Sequence, residues 1–281
     1  MKNITNSIIL VLIFVGNFIF SQQFKKDSLR GDFIYQLRAK PDSLNLSYIY
    51  DELFSLQIGD NYSVFNSLKS LKRDSIVSSV VRKGFSDKGT AIDFRNVSLP
   101  KTKYPYTIIQ SQNKISFFET VLMSPLTYSE PVLKNWKIFG EEKKISTFLC
   151  KRAEIDYKGR HWIAWYTPDI PFQKGPYKFS GLPGLIVKIS DSKGDYDFEL
   201  VKSTKSSELK GRLIVLNYNK IENATETTPL KIDQAKQNLK NNPVGNLESL
   251  GVNVTEEQKN SFRNRLREQN NKRENRLELE F

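Results

Sequence analysis

Residues 150–166, CKRAEIDYKGRHWIAWY, constrain the possible folds of this chain more than any other stretch. Apolar and aromatic side chains recur at alternate positions on both sides of Lys158-Gly159, which reads as a tight turn. The pattern predicts a β-hairpin. Ala153, Ile155 and Tyr157 share one face, and on the return Trp162, Ala164 and Tyr166 alternate with His161, Ile163 and Trp165. Because aromatic rings occupy both faces, both faces are expected to be covered.

Other segments carry the same period of two. In GDFIYQLRAKPD, Phe33, Tyr35 and Leu37 alternate with Asp32, Ile34, Gln36 and Arg38, and YIYDELFSLQIGD closes at Gly59-Asp60. LIVKI (185–189), YDFELV (196–201) and RLIVLNY (212–218) read as further strands. Residues 67–81 place Leu68, Leu71, Ile76, Val77 and Val80 near helical spacing, and the turn-rich 83–100 read as a loop. These segments predict a mostly β domain over 27–220, a single curved antiparallel sheet of half-barrel type with a covering helix. A two-sheet β-sandwich is the alternative.

Between hairpin and LIVKI lies TPDIPFQKGPYKFSGLPG, in which Pro168, Pro171, Pro176 and Pro183 fix φ and remove donors, so the loop can be ordered without being sheet. Pro183-Gly184 carries the signature of a type II turn that delivers Leu185–Ile189 into the sheet. Gly181 would let Trp162 or Trp165 approach the backbone closely. From Lys231 onward asparagine, glutamine and charge dominate, so 221–281 read as a polar, partly helical appendage. IDQAKQNLKNN forms a short helix that Pro243 and Gly245 break, and Thr255 with Gln258 makes a capping box for a second. The last dozen residues lack apolar periodicity, which predicts a mobile end.

The N-terminus has the layout of a secretory signal peptide over residues 1–21: Lys2, an apolar run from Ile8 to Phe20, then Ser21-Gln22 where polarity begins. That run is shorter than the roughly 20 residues a membrane-spanning helix needs, an uncleaved anchor being the alternative. The mature chain is expected to start near Gln22 and to be periplasmic, outer-envelope-associated or secreted. The single cysteine, Cys150, can form no internal disulfide. The net charge of +12 is scattered, and with no nucleic-acid-binding motif it points to solubility or to contact with an anionic envelope surface.

GLPGLI at 181–186, with Trp136, KKI at 143–145, the whole of 150–191 and SLQIGDNYSVF at 55–65, resembles the exported bacterial family named after that hexapeptide. The likeness covers most of 30–205 and departs from the family's pattern at Thr147-Phe148-Leu149, where a small residue and tyrosine would be expected before the cysteine. The resemblance implies an exported protein of gram-negative envelopes without an established biochemical role, and it carries over no catalytic residue.

The residues themselves are poor in catalytic constellations. His161 stands alone, so no zinc spacing exists, and neither a metal nor a cofactor is expected. Ser180 is not in a nucleophile elbow. An envelope hydrolase using Cys150 with His161, or the paired carboxylates Asp156 and Asp169, is the alternative reading. The favoured reading is non-catalytic. Trp162, Trp165, Tyr166, Phe172, Tyr177, Phe179 and Leu182 would form an aromatic and proline-loop surface, shaped by Gly181, Pro183 and Gly184. That surface would bind an apolar or amphipathic ligand, or a partner envelope protein, unless the rings simply fill the core.

Overall fold

The computed structural model describes residues 24–86, 97–251, 253–270 and 274–280; the expected signal peptide lies outside them. The described strands form one sheet. Its first half is a meander of β1 (Leu29–Ala39), β2 (Tyr50–Gly59), β3 (Ser63–Ser67), β4 (Thr107–Gln110), β5 (Lys114–Val121) and β6 (Ser124–Pro131). A second meander follows, of β7 (Lys137–Ile145), β8 (Phe148–Tyr157), β9 (Arg160–Thr167), β10 (Leu185–Asp191) and β11 (Tyr196–Ser203). Antiparallel pairing of β1 with β11 joins the halves, and the two-residue β12 (Thr225–Glu226) lies parallel to the outer side of β6.

The sheet is strongly curled. Nine strand spacings separate β6 from β8 in the sheet order, about 43 Å if the sheet were flat. Yet the Tyr157 hydroxyl on β8 donates to Glu130 on β6 at 2.7 Å. The link Val132–Trp136 between β6 and β7 is also far too short to cross a flat sheet of this width. The two ends therefore come together without pairing, so the sheet approaches a barrel and remains open along one seam.

Alternation explains the two cores. Phe65, Ile108 and Phe117 point inward, while their neighbours Val64, Ile109 and Phe118 point outward. Inside, Phe54 stacks on Phe65 at 4.9 Å and Phe198 meets both rings edge-on at 6.1 Å. Outside, a smaller cluster forms beneath α2 (Ser206–Leu209) and α3 (Tyr218–Glu222). A bulge between Leu29 and Gly31 turns Leu29 to this outer cluster although Phe33, of the same parity, faces in.

α1 (Leu68–Ser86) forms where the spacing predicts, started by Ser67 Oγ, which accepts from Lys69 N at 3.1 Å. None of its side chains with described burial is fully buried, because its apolar positions are diluted by serine, lysine and arginine. The helix that covers the inner core is instead α4 (Pro229–Asn241), through Ile232, Ala235 and Leu239. RLIVLNY is not a strand: β1 already has neighbours on both sides, so the segment makes one bridge, Ser28 to Leu213, and enters α3. Pro243 does end α4, but α5 (Pro243–Ser249) restarts on it at once, since proline suits a first helical position and the Asn242 side chain caps Gly245 N at 3.1 Å. α6 (Glu256–Asn270) opens with the expected box, Gln258 Oε1 accepting from Thr255 N at 2.9 Å.

Residues 274–280, where composition predicts a mobile end, pack back onto the sheet. Asn275 N donates to Pro41 O at 3.1 Å, Leu279 N to Lys158 O at 3.0 Å, and Leu277 is 9% exposed. A few specific anchors hold this tail, and such anchors leave no periodic trace. Among the described residues no helix is long and apolar enough to cross a membrane.

Candidate functional site

The proline loop, residues 168–184, folds into the mouth of the curled sheet. Tyr177 takes a left-handed φ of 56°, and Gly181 N reaches back to Gln173 O at 3.1 Å, so the loop closes on itself. Its exit is not the expected type II turn. Gly184 N bonds Leu182 O at 2.8 Å, a three-residue turn about Pro183, and Gly184 has φ +149° rather than the roughly +80° of type II. Leu185 N is thereby free to bond Ile170 O at 3.0 Å. Close approach dictates glycine at both flanking positions: a Cβ on Gly184 would lie 2.1 Å from Thr167 O, and one on Gly181 would lie 2.8 Å from Leu133 O. The tryptophan at Gly181 is Trp136, whose Nε1 donates to Ser180 O at 2.8 Å, and neither Trp162 nor Trp165.

The rings singled out in the sequence do not form an open wall. Trp162 and Phe179 are wholly buried, with centroids 4.7 Å apart, and Tyr166, Tyr177 and Leu182 are nearly so. Trp165 lies half-buried on the outer face under Lys143, and half-buried Phe172 meets Phe33 edge-on at 6.0 Å. The curl closes over the inner face of β9 and turns an expected surface into interior. Of these residues, Tyr177 reaches a cavity.

Beside it stands a group the sequence does not reveal. Lys178 is 0% exposed; its ammonium lies 2.7 Å from Glu130 and 2.5 Å from Glu278, and it donates to the Tyr128 hydroxyl at 2.8 Å. The rings of Phe117, Tyr128, Tyr157 and Tyr177 surround it with centroids 4.9–5.9 Å away. Burial pushes the Glu130 carboxyl upward, but the Lys178 charge and the bonds from Lys178 and Tyr157 outweigh it and hold Glu130 below the usual range. One lysine among 43 basic residues has no distinguishing signal except its setting between two aromatics in a proline loop.

The cavity has a volume of about 740 Å³ and lies between the segment leading into β4, strands β5 and β6, α4 and the C-terminal tail. That is within the roughly 300–1,000 Å³ range of small-molecule sites. Phe117, Val121, Ile232, Leu239 and Leu277 supply apolar wall, and Tyr104, Tyr106, Tyr128, Tyr177 and Tyr196 supply rings with polar tips. Among the described residues the buried Tyr106 hydroxyl has no hydrogen-bond partner, and burial drives its pKa well above the ordinary value. Such an orphan costs roughly 1–3 kcal/mol. Tyr106→Phe is therefore expected to raise stability by about 1 kcal/mol, read as a rise of about 2–4 °C in melting temperature.

The catalytic pairs entertained from sequence are not assembled. Cys150 is buried on the inner face, its thiol pushed up to about 11 by burial, and hydrogen-bonds Phe148 O at 3.7 Å. His161 lies on the outer face, opposite Asp156, whose carboxylate is 2.8 Å from its Nδ1. Six residues of β8, about 20 Å, separate Cys150 from Asp156. Asp156 pairs with His161 near the start of β9 and Asp169 follows its last residue, Thr167, so the two carboxylates lie toward opposite ends of that strand. Among the described residues no cluster of three or more His, Cys, Asp and Glu side chains is placed to hold a metal ion.

In class this is a curled antiparallel sheet, open along one seam, with a proline loop and a C-terminal tail in its mouth. Residues 154–188, from the hairpin through the loop into β10, match the family described as "Protein of unknown function (Porph_ging)", a likeness compatible with the GLPGLI-type resemblance. No curated protein matches the chain. Two solved structures of PNGF-II, in the P21 and C2 space groups, are similar over 73% and 74% of this chain, at 15% identity and TM-scores of 0.46 and 0.47. The chain spans about a third of their length, 32% in each case.

Proposed function

We propose that this chain is an exported, non-catalytic envelope protein that binds an apolar or amphipathic ligand. The site is the cavity beneath α4 rather than the ring cluster of the hairpin. The observation that carries this reading is a 740 Å³ cavity, walled by apolar side chains and tyrosines, beside the inner core of the curled sheet. The hydrolase alternative draws no support from the placement of Cys150 and His161 on opposite faces.

Nile red, an uncharged dye whose emission shifts blue in apolar surroundings, tests the site. The chain recovered from the envelope fraction, with its N-terminus expected near Gln22, should bind the dye saturably. Leu239→Trp fills the cavity from α4 and should weaken binding at least about ten-fold while leaving the fold unchanged by circular dichroism. Absence of saturable binding, or undiminished binding by a folded Leu239→Trp variant, would sink the reading.

A further inference from the structure

The charges around the cavity are arranged in pairs. Lys236 on α4 lies 3.0 Å from Glu119 on β5, and Lys240 lies 3.0 Å from Glu274. Arg276 lies 2.8 Å from Asp233, and Glu278, at 2.5 Å, shares Lys178 with Glu130, which Lys158 also approaches to 3.7 Å, so two cations face two carboxylates. Two charged lining residues remain, both at the rim. Lys103 sits over the Tyr48 and Tyr50 rings at 5.0 and 5.3 Å, and Asp42 accepts from Leu44 N at 3.1 Å. They carry opposite signs.

A charged ligand head entering this space would leave water without meeting an uncompensated counter-charge, and would have to break an existing pair to gain one. An uncharged head faces no such penalty. Each ammonium has three donors and each carboxylate about four acceptor sites, so pairing leaves hydrogen-bonding capacity unused.

We infer that the cavity selects an uncharged amphiphile over ions of the same chain length, and that Glu119 determines this selectivity by cancelling Lys236. Glu119 is 3% exposed and receives both of its carboxylate contacts from Lys236, at 3.0 and 3.1 Å. Glu119 lines the cavity beside Lys236 and sets its selectivity by holding and neutralising that lysine, so it acts as a positioning residue. The inference rests on the cavity being a ligand site, as proposed above.

Titration calorimetry with three ten-carbon probes at neutral pH tests it: 1-decanoylglycerol, which is uncharged, decanoate, an anion, and decylamine, a cation. The full mature chain should bind decanoylglycerol at least about ten-fold more tightly than either ion. Glu119→Gln keeps the side chain's shape and frees Lys236, so decanoate should gain about ten-fold while decanoylglycerol changes less than about two-fold. Lys236→Met should move the preference the other way, toward decylamine, which keeps the test decisive if the glutamine variant folds poorly. Ions that bind the wild type as tightly as the glycerol ester, or folded variants whose preference does not move, would overturn the inference and leave the cavity as a site. Failure of all three probes would instead overturn the cavity reading itself.

Discussion

Alanine at Gly184 is expected to cost about 2–6 kcal/mol, a large share of the whole stability of many domains. Two effects add. A side chain at φ +149° is strained by about 1–3 kcal/mol, and its Cβ would lie 2.1 Å from Thr167 O and 2.6 Å from Thr167 C, both backbone atoms of β9. Relieving such a clash moves the strand, at a further cost of about 1–3 kcal/mol or more. Gly194, where a Cβ would meet nothing within 4 Å, is the control: Gly194→Ala should lose little more than the local torsional cost. Urea unfolding of the two variants measures the difference. Equal losses would mean that the close approach to Thr167 is not what requires glycine in the hexapeptide.

Lys178→Met is expected to destabilise by about 3–5 kcal/mol at neutral pH, because it strands Glu130 and Glu278 in a largely dry ring of aromatics. The triple variant Lys178→Met, Glu130→Gln, Glu278→Gln should recover most of that loss, since removing all the charges also removes their desolvation cost. The pH dependence has a definite sign. The folded Glu130 carboxyl titrates below its ordinary range, so its contribution is fully present above the unfolded value, about 4.3, and is lost as pH falls through the lower folded value. In Lys178→Met that carboxylate is the unfavourable form, so acid should narrow the gap between variant and wild type. A gap constant from neutral pH down to about pH 3 would contradict the assignment of Lys178 as the counter-charge.

The parts of the fold legible in the sequence are those where one face is wet. β1, most of β9, the first part of β11 and the later residues of β8 and β10 alternate buried with half-buried or exposed residues, and there the period of two survives translation into structure. β3 and β4 do not alternate, because every residue of both is buried. β7 fails in the opposite way, with eight exposed residues before Ile145. The candidate site was half legible. Residues 168–184 do stand out, and Tyr177 does reach the cavity, but no periodicity says whether a ring lines an opening or fills an interior. That depends on the curl, which is set where Val132–Trp136 draws the ends of the sheet together. Tail residues such as Glu278 escape notice for a related reason, since their partner Lys178 lies 100 positions away.

The pairing of β1 with β11 bears on how the chain reaches this state. Every other antiparallel pairing joins consecutive strands, whereas this one joins residues 33–39 to 196–203. Each meander can zip up from hairpins, but joining the two halves must wait for a contact spanning more than half the chain, an entropically slow event. Until then β1 is an uncapped edge in mid-sheet, rich in Phe, Tyr and Leu, and therefore a template for pairing with the wrong molecule. A nascent chain leaving its ribosome has to be shielded over that interval, and premature termination anywhere before β11 would yield a product prone to clump rather than a smaller working protein.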